Sequence, residues 1–169
     1  MRVVFINTAM RNPSTDKPQY SIGTVAEILN VSVESIRLYE RKGLLLTAKG
    51  DHNRRTYSDA DVERLRCIRT AINEQKISIE GIRRIHALIP CWKHLDCPMK
   101  QRLQCPAYRR NIAGCWTYRH EGNVCAARDC QACIVYHLSA DCERIKFLIH
   151  NIDPATLADP AHCHQRTDS

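Results

Sequence analysis

Apolar residues recur through the first half of the chain in four short stretches, each at the three- and four-residue spacing of an amphipathic helix. In the first, Ile22, Val25, Ala26, Ile28 and Leu29 define one face. Asn30 and Val31 interrupt it. Ser32 then opens a second helix, because a serine oxygen can accept from an unpaired amide of the first turn. This helix is expected from about Val33 to Lys42, with Val33 and Ile36 inward and Ser35, Arg37 and Arg41 outward. Gly43 stands where a helix commonly stops in a left-handed conformation. A polar, basic loop carrying Lys49, Arg54, Arg55 and Tyr57 follows. The third stretch, residues 58–75, is capped by Ser58 and repeats Val62, Leu65, Ile68 and Ile72. The fourth, residues 78–89, is capped by Ser78 and repeats Ile79, Ile82, Ile85 and either Leu88 or Ile89 before Pro90 ends it. His86 reads as a surface or boundary residue, and Cys67 as a small core residue rather than a ligand.

Two short helices, a basic loop and a third helix in this order predict a winged helix-turn-helix. The chain is therefore expected to be mainly α, with this DNA-binding unit at residues 20–89. The loop arginines and tyrosine are donors suited to phosphate oxygens, and an arginine on an exposed recognition helix can grip the O6/N7 edge of guanine.

Beyond Pro90 the periodicity breaks. Ten cysteines occur in the 169 residues, and seven of them, Cys91, Cys97, Cys105, Cys115, Cys125, Cys130 and Cys133, fall in a single stretch. Cys91-Trp92 and Cys115-Trp116 are Cys-Trp pairs, Cys97-Pro98 and Cys105-Pro106 are Cys-Pro pairs, and Cys130-x-x-Cys133 closes the series. In a reducing compartment such density points to metal or cluster ligands more than to disulfides. A Cys-x-x-Cys turn suits zinc and iron–sulfur alike. Seven thiolates do not divide by the four that a cubane cluster or a closed zinc site requires. All seven are candidate ligands, for an iron–sulfur cluster or otherwise for zinc, with a redox thiol or disulfide role left open. Core packing explains Trp92 and Trp116 as well as a redox role would.

Residues 90–136 are thus expected to form a small, loop-rich cysteine module. Past it, Cys142, Ile145, Ile149 and Ile152 are spaced 3, 4 and 3 apart on a possible helix over 140–151, within a segment 137–152. That is either a short dimer seam or a helix folding onto its own module. Residues 1–19 read as a flexible lead-in and 153–169 as a polar tail.

Composition changes the picture little. The hydrophobic fraction is 44%, charged residues make up 25%, and the net charge is +7. Basic residues on the second helix and loop turn that modest excess toward nucleic acid. No apolar run is long enough to span a bilayer, and Met1 to Met10 lacks the length and cleavage site of a signal peptide. Cytoplasmic residence is the expectation. No Gly-rich cofactor loop or nucleophile–base set is present, so an enzyme is not expected.

With these motifs in view, residues 20–89 resemble the DNA-binding domain of the MerR family of bacterial transcription regulators. The segments that carry the resemblance are Y-S-I-G-x-V-A, V-S-x-x-x-I-R-x-Y-E-R-K-G-L, N-R-R-x-Y-S-x-x-D-V-E-R-L and S-I-E-G-I-R-R-I. The resemblance implies that Arg37 enters the major groove, while Ser35, Tyr39, Arg54, Arg55 and Tyr57 hold phosphates or the groove edge. Tyr39 alternatively packs between the second helix and the wing, and Glu40 serves as a local partner for Arg37 or Arg41. It further implies a homodimer on a pseudo-palindromic promoter, DNA bending and untwisting, and RNA polymerase as a partner. Residues 90–136 resemble a cysteine-rich two-CW module found attached to bacterial regulators. Two alternatives stand beside a redox, oxygen or metal sensor: the same regulator with a purely structural zinc staple, and a redox or electron-transfer protein.

Overall fold

The computed structural model describes residues 17, 19–49 and 55–140. Among the described residues eight helices dominate: α1 (Ile22–Leu29), α2 (Val33–Arg41), α3 (Asp59–Asn73), α4 (Ile79–Ala87), α5 (Cys91–His94), α6 (Met99–Arg102), α7 (Pro106–Arg110) and α8 (Ile134–Leu138). Two short strands, β1 (Ala48–Lys49) and β2 (Arg55–Thr56), pair antiparallel with Ala48 opposite Thr56 and Lys49 opposite Arg55. A 3-10 turn covers Cys115–Thr117.

Each of the first four helices begins at a serine whose oxygen accepts from an amide of its first turn. Ser21 accepts from Thr24, Ser32 from Ser35, Ser58 from Asp61 and Ser78 from Gly81. At α3 the Asp61 carboxylate also accepts from the Ser58 amide, closing a capping box. Asn30 takes a left-handed conformation (φ 49°) and turns the chain from α1 into α2. Gly43 does the same after α2 (φ 70°), as its position in the sequence predicts.

The first core joins α1, α2, α3 and α4 through Val25, Leu29, Ile36, Leu44, Tyr57, Val62, Leu65, Ile68 and Ile82. Ile28, placed on the inward face by spacing, is 44% exposed, because the face of this short helix is narrower than the apolar run. Val33 is only partly buried against this core, and Ile36 carries the inward face with Tyr39. Of the two residues left open at the end of α4, Ile89 is buried and Leu88 is exposed.

A second core lies beyond Pro90 and draws on both halves of the chain. Ile89, Leu95, Trp116, Val135 and Tyr136 form it, with Leu46 and Ile85 packed against it. The cysteine-rich segment therefore sits directly on the helical unit. Arg64 of α3 is the buried link. It donates to Ser139 Oγ at 3.0 Å and to the Tyr136 carbonyl, and its guanidinium lies 3.7 Å from the Tyr136 ring centroid. His86 is buried as well, its ring 5.2 Å from Trp116, which corrects the expectation of a surface or boundary residue. Cys67 is half-buried and disulfide-bonded, at the edge of the core rather than the small core residue expected. Apart from Ala140, the possible helix over 140–151, with Cys142, lies outside the described residues, as do residues 153–169 and most of 1–19. Among the described residues no helix is long and apolar enough to cross a membrane.

Candidate nucleic-acid interface and thiol cluster

The outer face of α2 and the neighbouring strand β2 bring three of the predicted contact residues together. Arg37 is exposed, its Nη1 2.6 Å from Glu34 Oε1 one turn earlier on the same helix. An exposed pair of this kind is weak and can yield to a competing phosphate or base edge. Ser35 lies near the helix start, its Oγ 2.8 Å from Ser32 Oγ. Arg55 is exposed on β2, and its Nε lies 3.0 Å from Glu40 Oε2. Glu40 stands one turn beyond Arg37 on α2, so its pairing with Arg55 holds β2 beside this helix. Glu40 is a local partner as the sequence suggests, but for Arg55 and Tyr57 rather than for Arg37 or Arg41.

Two predicted contacts are not on this surface. Tyr57 is fully buried, and its hydroxyl donates to Glu40 Oε1. Burial, and then the Glu40 carboxylate, hold its phenol well above the usual range. Tyr39 is buried in the first core, and burial raises its phenol also. Both tyrosines support α2 from behind, because the apolar ring gains more from the core than the hydroxyl would from a phosphate. Tyr39 thus takes the packing alternative. Arg54 lies outside the described residues.

The seven cysteines from Cys91 to Cys133 are all free thiols. Residues far apart in sequence line two adjoining small cavities. Cys91, Cys97 and Cys105 line the first, together with Trp92, Tyr108 and Arg102. Cys115, Cys130 and Cys133 line the second, together with Trp116 and Arg128. Cys125 and His120 border both. Among the described residues no group of three or more His, Cys, Asp or Glu side chains is drawn tightly enough to hold a metal ion as it stands. The thiols are neighbours that have not closed into a coordination sphere.

Their electrostatics follow from that crowding. The Cys115 thiol donates to the Cys91 sulfur, which raises Cys115 and lowers Cys91. Burial, reinforced by the surrounding sulfurs, pushes Cys125 up to about 11. Burial likewise raises Cys97 and Cys130. Buried thiols packed together resist ionising singly, and a cation placed among them inverts that preference.

His120 was not singled out by sequence, since a lone histidine in Arg119-His120-Glu121-Gly122 carries no spacing signal. Its Nε2 lies 2.8 Å from the Cys115 carbonyl, an acceptor only, so Nε2 carries the proton. The lone pair is therefore on Nδ1, which lies 3.8 Å from Cys105 Sγ and 3.4 Å from Asn123 Nδ2.

The cysteine segment also touches the turn that follows α2. Trp116, next to Cys115, donates from Nε1 to the Gly43 carbonyl at 2.8 Å, at the end of α2. The Leu46 amide donates to Tyr136 Oη at 2.8 Å, and Gln131 Nε2 donates to the Leu46 carbonyl at 3.2 Å. Lys42 pairs with Glu80 of α4 at 2.9 Å.

Comparison with known proteins addresses the first half of the chain. Residues 20–88 match the MerR HTH family regulatory protein. The HTH-type transcriptional regulator TnrA of Bacillus subtilis is 46% identical over 50 residues, 30% of this chain and 46% of that protein. A mercuric resistance operon regulatory protein of Pseudomonas fluorescens is 44% identical over 52 residues, 30% of this chain and 36% of that protein. The chain spans less than half the length of these two relatives. No solved structure matches it.

Proposed function

We propose that this chain, whose residues 20–88 are a MerR-family helix-turn-helix domain, is a transcription regulator that binds promoter DNA, and not an enzyme. The observation that carries the reading is the α2 surface. Arg37 and Ser35 stand outward on a capped helix, and Arg55 is held beside them by Glu40. In this reading α2 lies in the major groove, Arg37 reads a base edge, and the β1–β2 pair is the wing that follows the phosphates. The chain acts in the cytoplasm as a homodimer on a two-fold site and distorts the duplex so that RNA polymerase engages it.

The cysteine segment, read as a two-CW-like module, is the regulatory half. Its thiols hold a metal centre, an iron–sulfur cluster or zinc, and loading or loss of that centre reports redox state, oxygen or metal. What supports a regulatory role over a passive staple is the contact from Trp116, beside Cys115, to Gly43 at the end of α2. A change at the sulfur is one residue away from the helix that reads DNA. Two states of the thiol site that hold α2 differently have different affinities for the operator, which is coupling in the thermodynamic sense.

Selection of binding sites from random duplexes with the full chain, purified without oxygen, tests the first half of this reading. Recovery of a two-fold repeated site bound by a dimer is expected. Binding that shows no sequence preference at any salt concentration overturns it. Absorption and elemental analysis of the same material test the second half. Brown protein with iron and sulfide marks the cluster, colourless protein with zinc marks the second metal, and protein with no metal under any loading condition removes the centre.

A further inference from the structure

We infer that His120 is the eighth donor of the thiol cluster and that the eight donors form two separate four-ligand sites for tetrahedral divalent metal, Cys91–Cys97–Cys105–His120 and Cys115–Cys125–Cys130–Cys133. The inference rests on the reading that the cysteine segment binds metal, and it replaces a single cluster with two mononuclear zinc-type centres.

Seven thiols cannot fill two tetrahedral sites, and for one site they leave three over. The two cavities resolve the count. Cys91, Cys97 and Cys105 border only the first, and Cys115, Cys130 and Cys133 border only the second. Cys125 and His120 border both, so one of them completes each set. Geometry assigns them. The ring of His120 is fixed by the Nε2–H bond to the Cys115 carbonyl, and its Nδ1 faces Cys105 Sγ at 3.8 Å, with Asn123 Nδ2 at 3.4 Å. A backbone acceptor on one ring nitrogen that sets the tautomer and aims the other is the arrangement found behind metal-ligating histidines. His120 therefore belongs to the first set. Cys125 joins the second, where Cys130-x-x-Cys133 supplies two ligands from one turn. Three thiolates with one imidazole, and four thiolates, are both ligand sets of closed structural zinc sites.

Charge favours the same division. Each coordinated thiol releases its proton to solvent, so a divalent ion leaves one excess negative charge in the first set and two in the second. One arginine lines each cavity. Arg102 is anchored by Nε to the Cys97 carbonyl at 2.6 Å, and Arg128 by Nε to the Val124 carbonyl at 3.1 Å. The second site holds Cys115, so its occupancy acts on Trp116.

Cobalt(II) titration of the reduced, metal-free full chain is the test. Two equivalents with tetrahedral absorption are expected, and zinc should displace both. His120→Ala should retain one equivalent with an all-thiolate spectrum. His120→Cys should restore the second. A Cys130→Ser, Cys133→Ser double variant should lose the other equivalent, and His94→Ala should keep both. Helical circular dichroism of each variant identifies any that fail to fold, and the His120→Cys result stands even if His120→Ala does not fold. A single equivalent in the parent chain, or two equivalents with an unchanged spectrum in His120→Ala, overturns the division while leaving a metal-binding regulator intact. A chain that takes up no cobalt and no iron overturns the underlying reading too.

Discussion

Trp116 donates its indole N–H to the carbonyl of Gly43, 73 positions earlier in the chain, at 2.8 Å. The acceptor belongs to the turn that ends α2, and the donor follows a cysteine of the thiol cluster. This bond, the Trp116 contact with His86, and the Arg64 guanidinium over Tyr136 form one seam between the two halves.

Trp116→Phe removes the donor, keeps an aromatic ring in the second core and leaves a somewhat smaller buried side chain. The lost bond amounts to about 1 kcal/mol of stability, small against the whole fold. The larger consequence is regulatory: the ratio of operator affinities between metal-loaded and metal-free protein should shrink toward unity. Fluorescence anisotropy on a labelled operator measures it, and an unchanged ratio removes Trp116 from the coupling.

Gly43 has a second constraint. A Cβ there would lie 2.5 Å from Thr117 Cγ2, on a residue held at φ 70°. Gly43→Ala should destabilise the chain by about 1–2 kcal/mol from the left-handed backbone alone, and by more from the clash. Adding Thr117→Ser removes the offending methyl and should recover the clash contribution but not the backbone one. Urea unfolding of the three proteins separates the two, and no recovery in the double variant contradicts the packing described.

Arg37→Ala should weaken operator binding by about 1–3 kcal/mol, the discrimination expected of a bidentate base contact. Binding to random duplex should change little. Competition assays at fixed salt decide it, and equal losses on both duplexes place Arg37 on phosphate instead.

His86 makes stability depend on pH. Burial, and then the nearby Arg64, lower its pKa from 6.5 to about 3 in the folded chain. The unfolded chain takes up a proton between those values that the folded chain refuses. This contribution is therefore fully present above pH 6.5 and is lost as pH falls toward 3, by up to about 1.4 kcal/mol per pH unit. Arg64 from α3 and the Trp116 ring face it without offering an acceptor, and a backbone hydrogen bond with Ser139 opposes the lowering only in part. His86→Phe should flatten the acid limb of the urea midpoint, and an identical limb in both proteins means the proton is taken up elsewhere.

The positions of α1 to α4 were legible because each was marked twice, by a serine cap and by periodic apolar residues, as at Ser58 with Val62, Leu65 and Ile68. The short helices α5 to α8 have no side-chain cap and lie in a stretch that reads as loop-rich. Partnerships across the chain were not legible either. Tyr57 lies in a basic loop and reads as a phosphate donor until Glu40 is found to accept its hydroxyl. Arg64 looks like any exposed helix arginine, since nothing local announces that Tyr136 and Ser139 will bury it. His120 was invisible for the same reason: its meaning comes from the Cys115 carbonyl and the Cys105 sulfur, neither of which its neighbours predict. Spacing reports what a single element does alone, while ligand sets and buried charges are decided by which elements meet.

The second core takes Leu46, Ile85 and Ile89 from the helical half and Trp116, Val135 and Tyr136 from the other. Neither half is therefore an interchangeable cassette. Grafting the cysteine segment onto another regulator, or trimming it from this one, strips the apolar cover from one side of the other half. The two should melt as a single cooperative unit, because each half supplies part of the same buried cluster.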